Sequence, residues 1–341
     1  MRRAVPFLAL LLLAVGCAKP KPAPPLPPVA LSVLATVGDS ASTIEGVATY
    51  AGKLYVCDWK DGTIYRVDPA NPVPEAVGAL PIAPGTAVLG LATDQDGNLY
   101  LAVPDSGIVY RVKAGRLGAA NFSRTRDATR FATGAAGANA LVFDQAAGHL
   151  WISGGSTGAI YHVGPEGGAV TTFATNVSPE SADTTVPVRV YTSNGLAIDR
   201  KGVLYSLNTG TGQVTQLVVG AGYTLAVSNP WVRDARLVGA DGAAFDTDGN
   251  LWVTANFRNT LARVSPDGTV TLVAASTPSG EFTDSTMIPA YPQTGAGNAL
   301  RFPAEFKLLG DTAYIANLNF PIGANTGQSF KGASIAAVAL P

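Results

Sequence analysis

Short runs of alternating apolar and polar residues recur along the chain, each closed by a glycine-containing turn. The first set reads Glu45-Gly46-Val47-Ala48-Thr49, then Leu54-Tyr55-Val56, then Ile64-Tyr65-Arg66-Val67. The same order returns from Gly90, Asn139, Asn194 and Asp241, and in degenerate form from Asn298. Alternation with period two, in runs rich in Val, Leu, Ile, Tyr and Trp, is the pattern of half-buried strands. Asp96-Gly97 and Asp248-Gly249 are hairpin-turn signals. Beyond the N-terminus no segment carries sustained helical periodicity with caps. Six strand-rich units at a near-regular spacing predict an all-β fold, a six-bladed β-propeller over residues 31–341. The last unit reaches the C-terminus without its outer strand. The strand-like run Ala30 to Val37 is expected to supply it. Pairing the N- and C-terminal strands would close the ring and remove an exposed sheet edge.

The N-terminal segment has a different pattern. Arg2 and Arg3 precede an apolar run, Val5 to Val15. That run is too short for a permanent membrane span and has the length and flanks of a secretory signal. It ends in Leu13-Ala14-Val15-Gly16-Cys17, which resembles the lipobox of bacterial lipoproteins, with Ala14 where Leu is commoner. Residues 1–17 are therefore read as a lipoprotein signal with Cys17 lipidated. Residues 18–30 are read as a spacer, since proline-rich segments stay extended. The expectation is a monomer at the bacterial cell envelope, periplasmic or outer-membrane facing, meeting the membrane through its lipid alone.

Composition narrows the chemistry. Hydrophobic residues make up 47% and charged residues 14% of the chain, which argues against disorder. A net charge of −1 gives no basis for a general affinity for nucleic acid. Two His and two Cys leave no material for a zinc cluster or a disulfide framework. With Cys17 consumed by lipid, Cys57 is left to pack as a small hydrophobe in its strand. Site chemistry must rest on oxygen atoms.

Aligning the first residue of each inner strand gives the column Glu45, Leu89, Asn139, Asn194, Asp241 and Asn298. Inner strands line the channel of a propeller, so this column is expected to converge on the axis. Asn and Asp also favour the position before Gly in turns, which accounts for Asn194 and Asp241 but not for Glu45. If the column converges, its carboxylates and amides form a hard oxygen site suited to Ca²⁺, and less to Zn²⁺.

The ordered set resembles a known family. Glu45-Gly46, Asn139 ahead of Gly148-His149-Leu150-Trp151, Asn194-Gly195-Leu196-Ala197 and the run from Asp241 to Trp252 are similar to motifs of the regucalcin (senescence marker protein)/gluconolactonase family. The resemblance covers about residues 38 to 340. It implies a propeller holding one divalent cation, often Ca²⁺, and hydrolysis of a small-molecule lactone or related ester. Glu45, Asn194 and Asp241 would bind the metal, with Asn139 on metal, water or substrate. Asp241 is the candidate general base, and Asn298 joins Asn139 as a substrate contact. One departure concerns substrate choice. Members often carry a sugar-acid-binding Arg two residues before the third-blade Asn, and Gly137 stands there in this chain.

Other signals are weaker. Gly154-Gly155-Ser156-Thr157-Gly158 matches a nucleophile pattern that needs a following helix, whereas a strand is predicted. Trp59, Trp151 and Trp252 read as blade packing, and Trp231 as an anchor in a connection from Val218 to Ala240. Further long connections, Lys113–Ala138, Gly164–Ser193, Ala274–Gly297 and Asn319–Ala333, are placed to carry recognition. The alternative to a hydrolase is a non-catalytic NHL-like propeller that binds a protein or glycan at the envelope.

Overall fold

A computed structural model describes residues 29–184, 186, 189–276, 299–320 and 332–341. Six antiparallel sheets succeed one another along the chain, as the repeat predicts. The inner strands are Val47–Tyr50, Leu91–Thr93, Leu141–Asp144, Leu196–Ile198, Ala240–Phe245 and Pro303–Leu309. Blades one to five proceed outward, in chain order, to a fourth strand. Blade two gains a short parallel strand, Gly168–Ala169, on its outer edge. Blade six is completed by Leu31–Val37, antiparallel to Ala333–Ala339, with Leu31 opposite Val338 and Val37 opposite Ala333. The predicted closure is therefore present.

The sixth inner strand differs from expectation. It begins at Pro303 rather than at Asn298, and Asn298 itself lies outside the described residues. Three other corrections follow from outer strands hidden among supposed connections. Val218–Ala240 contains Leu225–Arg233, the outer strand of blade four, where Trp231 packs edge-on against Tyr205. Lys113–Ala138 likewise contains Ala128–Thr133, the outer strand of blade two, and Gly164–Ser193 contains Thr171–Ala174, the outer strand of blade three. Residues 277–298 and 321–331, which make up most of the last two long connections, lie outside the described residues, as does Cys17.

Local chemistry explains the blade hairpins. In blade five, Asp246 Oδ1 accepts the amides of Asp248 and Asn250, both at 2.9 Å. Its Oδ2 accepts Asn250 Nδ2 and the indole of Trp252, both at 2.8 Å. Asp94 makes the same set in blade two, with the Tyr100 hydroxyl at 2.9 Å in place of the indole. One carboxylate thus shapes the turn and orients the aromatic residue beyond it.

The core is divided among the seams between blades. One cluster joins Leu54, Val56 and Val67 of blade one to Ile335 of blade six. Another joins Tyr205 and Leu207 of blade four to Val253 and Val264 of blade five. Trp151 and Trp252 are buried in such seams, as expected. Cys57 is buried against blade two, in keeping with a packing role. Gly154–Gly158 forms a turn followed by the strand Ile160–Val163, with Ser156 exposed, so no nucleophile elbow exists there.

Candidate functional site

The inner strands approach each other closely enough to fix their register. Gly90 N donates to Asn139 O at 2.8 Å, and Glu305 N donates to Glu45 O at 3.3 Å. A β-carbon on Gly195 would lie 1.7 Å from Asp241 O, so only glycine allows that approach. This register makes Glu45, Leu89, Asn139, Asn194 and Asp241 equivalent positions. In blade six the equivalent residue is Ala304, whose carbonyl lies beside Gly242.

All five of the former residues line one pocket of about 310 Å³. Glu45 and Asp241 are each only 4% exposed. The remaining wall comes from Trp59, Tyr191, Thr209, Asn256, Phe302, Leu318 and Phe320. Trp59 is thus a site residue as well as a packing one, because it follows the second strand of blade one rather than sitting inside it. Thr209 and Asn256 hold the matching places after the second strands of blades four and five. Aligning the ends of the second strands would have found them.

Their hydrogen bonds orient the column. Asn194 Nδ2 donates to Thr209 Oγ1 at 2.9 Å, and that hydroxyl donates to Ala240 O at 2.8 Å. Asn256 Nδ2 donates to Asp241 Oδ2 at 2.9 Å. Glu45 Oε2 and Asn194 Oδ1 are buried and accept nothing. Buried acceptors without donors are costly.

A third carboxylate stands just below. Glu305 occupies the place after the column residue, where the other blades have Gly46, Gly90, Ala140, Gly195 and Gly242. Its Oε2 accepts Leu91 N at 3.1 Å, and its Oε1 pairs with Lys307, which borders the opposite channel mouth. Burial, then the charges of Asp241 and Glu305, push the Glu45 carboxyl well above the usual range. Burial likewise raises Asp241, with Glu305 adding to the shift and the Asn256 amide opposing it.

The donor set fits a hard divalent cation. Two buried acids hold charge here only at high cost unless a cation joins them, and the orphaned oxygens of Glu45 and Asn194 are acceptors without a donor. Among the described residues no group of three or more His, Cys, Asp and Glu is disposed to hold a metal ion. The set is instead one of carboxylates with amides, a chemistry Ca²⁺ accepts.

Among the described residues no cationic side chain lines this pocket. Gly137 lies in a left-handed turn with φ of 69°, and a β-carbon there would sit 2.8 Å from Gly154 O, so the turn excludes an Arg. Arg124, Arg126 and Arg130 are exposed on the outer side of blade two, with Arg126 paired to Asp127.

Residues 45–283 match the family described as the SMP-30/Gluconolactonase/LRE-like region. Solved structures share the fold at low identity. A luciferin-regenerating enzyme is 15% identical and aligns with a TM-score of 0.63 over 91% of this chain and 95% of its own. The calcium-binding protein regucalcin from Agrobacterium tumefaciens is 15% identical, with a TM-score of 0.59 over 91% and 97%. A gluconolactonase from Xanthomonas campestris is 15% identical, with a TM-score of 0.56 over 91% and 89%. No curated protein matches the chain in sequence. At such identities the likeness to solved structures speaks for the fold alone.

Proposed function

We propose, on the premise that this chain belongs to the SMP-30/gluconolactonase/LRE-like family, that it is a cation-dependent hydrolase of a lactone or related ester. The observation that carries this reading is the pair of buried acids, Glu45 and Asp241, lining one pocket with acceptor oxygens that lack donors. Glu45, Asn194 and Asp241 would hold the cation, Ca²⁺ by the chemistry of the set, with Asn139 beside them. When bound, such an ion polarises an acyl carbonyl and stabilises the charge that develops on its oxygen.

The chain's own groups do the rest. Asn256 fixes Asp241 through Oδ2, and Thr209 fixes the Asn194 amide. Asp241 takes the proton of the attacking water as the water oxygen bonds to the acyl carbon. The ester C–O bond breaks, the proton passes to the leaving alkoxide, and a hydroxy acid is released. The apolar wall keeps bulk water from the reacting atoms.

Purified protein should hydrolyse simple lactones with added Ca²⁺ and lose that activity in chelator. Asp241→Ala should abolish turnover and cation binding measured by calorimetry. Turnover indifferent to chelator would sink the cation's role. Retained cation-free binding of a protein or glycan, without any turnover, would favour the non-catalytic propeller. The same proposal places the chain at the bacterial envelope through Cys17, on the strength of its N-terminal pattern.

A further inference from the structure

Resting on the hydrolase reading, we infer that the substrate is a neutral lactone or ester bearing an apolar substituent, and not a polyhydroxylated sugar lactone. One half of the pocket is oxygen-rich, and the other half is apolar. Trp59 and Phe320 meet edge to face, with centroids 6.2 Å apart at 75°, and Phe320 lies 5.5 Å from Phe302. Leu89 and Leu318 complete this side. Leu89 takes a column position that Asn or an acid fills in four other blades.

The wall is rigid. The Trp59 indole spends its only polar hydrogen on Val88 O at 2.7 Å, so what it shows the cavity is hydrocarbon. Phe302 has φ of 58°, a conformation that bulky residues rarely adopt. It is pinned there by donating its amide to Asn259 Oδ1 at 2.7 Å and by accepting Leu318 N at 3.1 Å. Strain kept at a pocket wall marks a position under functional constraint. Trp59 and Phe320 remain half-buried, which leaves surface for a ligand to cover.

A sugar lactone would press its hydroxyls against this wall and lose their water partners without replacement. An anionic group on the substituent would find no cationic side chain among the described lining residues to pair with it. An alkyl or aryl substituent meets neither penalty. The cavity is at the small end for ligand sites, so the substituent is short.

The test is a series of γ-lactones from γ-butyrolactone to γ-decalactone, with glucono-δ-lactone alongside, on the full chain with Ca²⁺. We expect kcat/KM to climb about fourfold per added methylene until the cavity is full, and glucono-δ-lactone to be the poorest. Phe320→Ala should flatten the climb, and Phe320→Leu should restore it; melting curves of both report folding. Calorimetric binding of the same compounds separates this inference from the hydrolase reading. Affinity that climbs with chain length without turnover sinks hydrolysis and supports the apolar ligand. Binding independent of chain length, or tightest for glucono-δ-lactone, overturns the inference.

Discussion

Glu305 fills a place that the five other blades leave to Gly or Ala, and it sets the charge balance beneath the pocket. Its own carboxyl is raised by burial, with Lys307 and the amides of Leu91 and Val47 working against the rise. The sign of the pH effect follows. Carboxyls whose folded pKa is raised lend stability that is fully present below their ordinary range and lost as pH rises through the folded values. Chelated protein should therefore melt at a lower temperature at about pH 8 than at about pH 5. Saturating Ca²⁺ should remove most of that slope, and Glu305→Gln should reduce it without added cation. Melting in chelator that is flat across this range would contradict the account. The column residues Glu45, Asn139, Asn194 and Asp241 are legible in sequence because a repeat keeps equivalent residues at one height. Glu305 and Phe302 are not, because the sixth unit is degenerate and its strand starts later than the pattern indicates. Trp59, Thr209 and Asn256 escape for another reason: they follow the second strands and lie outside the inner-strand column.

The hairpin unit behaves as a device of its own. Asp246 binds two turn amides, an Asn side chain and the buried Trp252 indole. Its equivalent in blade three, Asp144, accepts only the amides of Ala146 and Ala147, and the Trp151 indole nitrogen has no partner. Asp246→Ala would impose the poorer state on blade five and also release the turn. At about 1 kcal/mol for each bond lost, chemical denaturation should show a loss of about 2 to 4 kcal/mol. Asp246→Asn should recover part of it, since an amide oxygen still accepts. A loss below about 0.5 kcal/mol would mean that the turn holds without its carboxylate. The strand pattern was readable at this scale because turns and aromatics repeat. The outer strands of blades two, three and four are not: Thr171–Ala174 is only four residues long, and Leu225–Arg233 is exposed over most of its length and lacks a buried alternating face.

At the scale of the whole molecule, the ring bears on where the proposed tether would attach. The described chain enters at Val29 and passes directly into the outermost strand of blade six, at the rim and away from the pocket wall. A lipid on Cys17 would therefore hold the propeller by its edge and leave the pocket mouth clear. Cys17→Ser should move the protein from the membrane fraction of expressing cells to the soluble fraction while preserving its lactone kinetics. Membrane association that survives the substitution would refute the anchor.

The closure of blade six also sets an order of events. Leu31 is made among the first residues of the domain, yet its partner Val338 is among the last. During synthesis the first strand must wait, unpaired, while five complete sheets emerge after it. Contacts this distant in sequence form slowly, and a waiting strand invites wrong partners. The prolines immediately before it lack amide hydrogens and cannot lengthen such a mismatch. If Cys17 carries the proposed lipid, the same proline-rich run would serve both as its tether and as a guard of the unfinished ring until the final strand arrives.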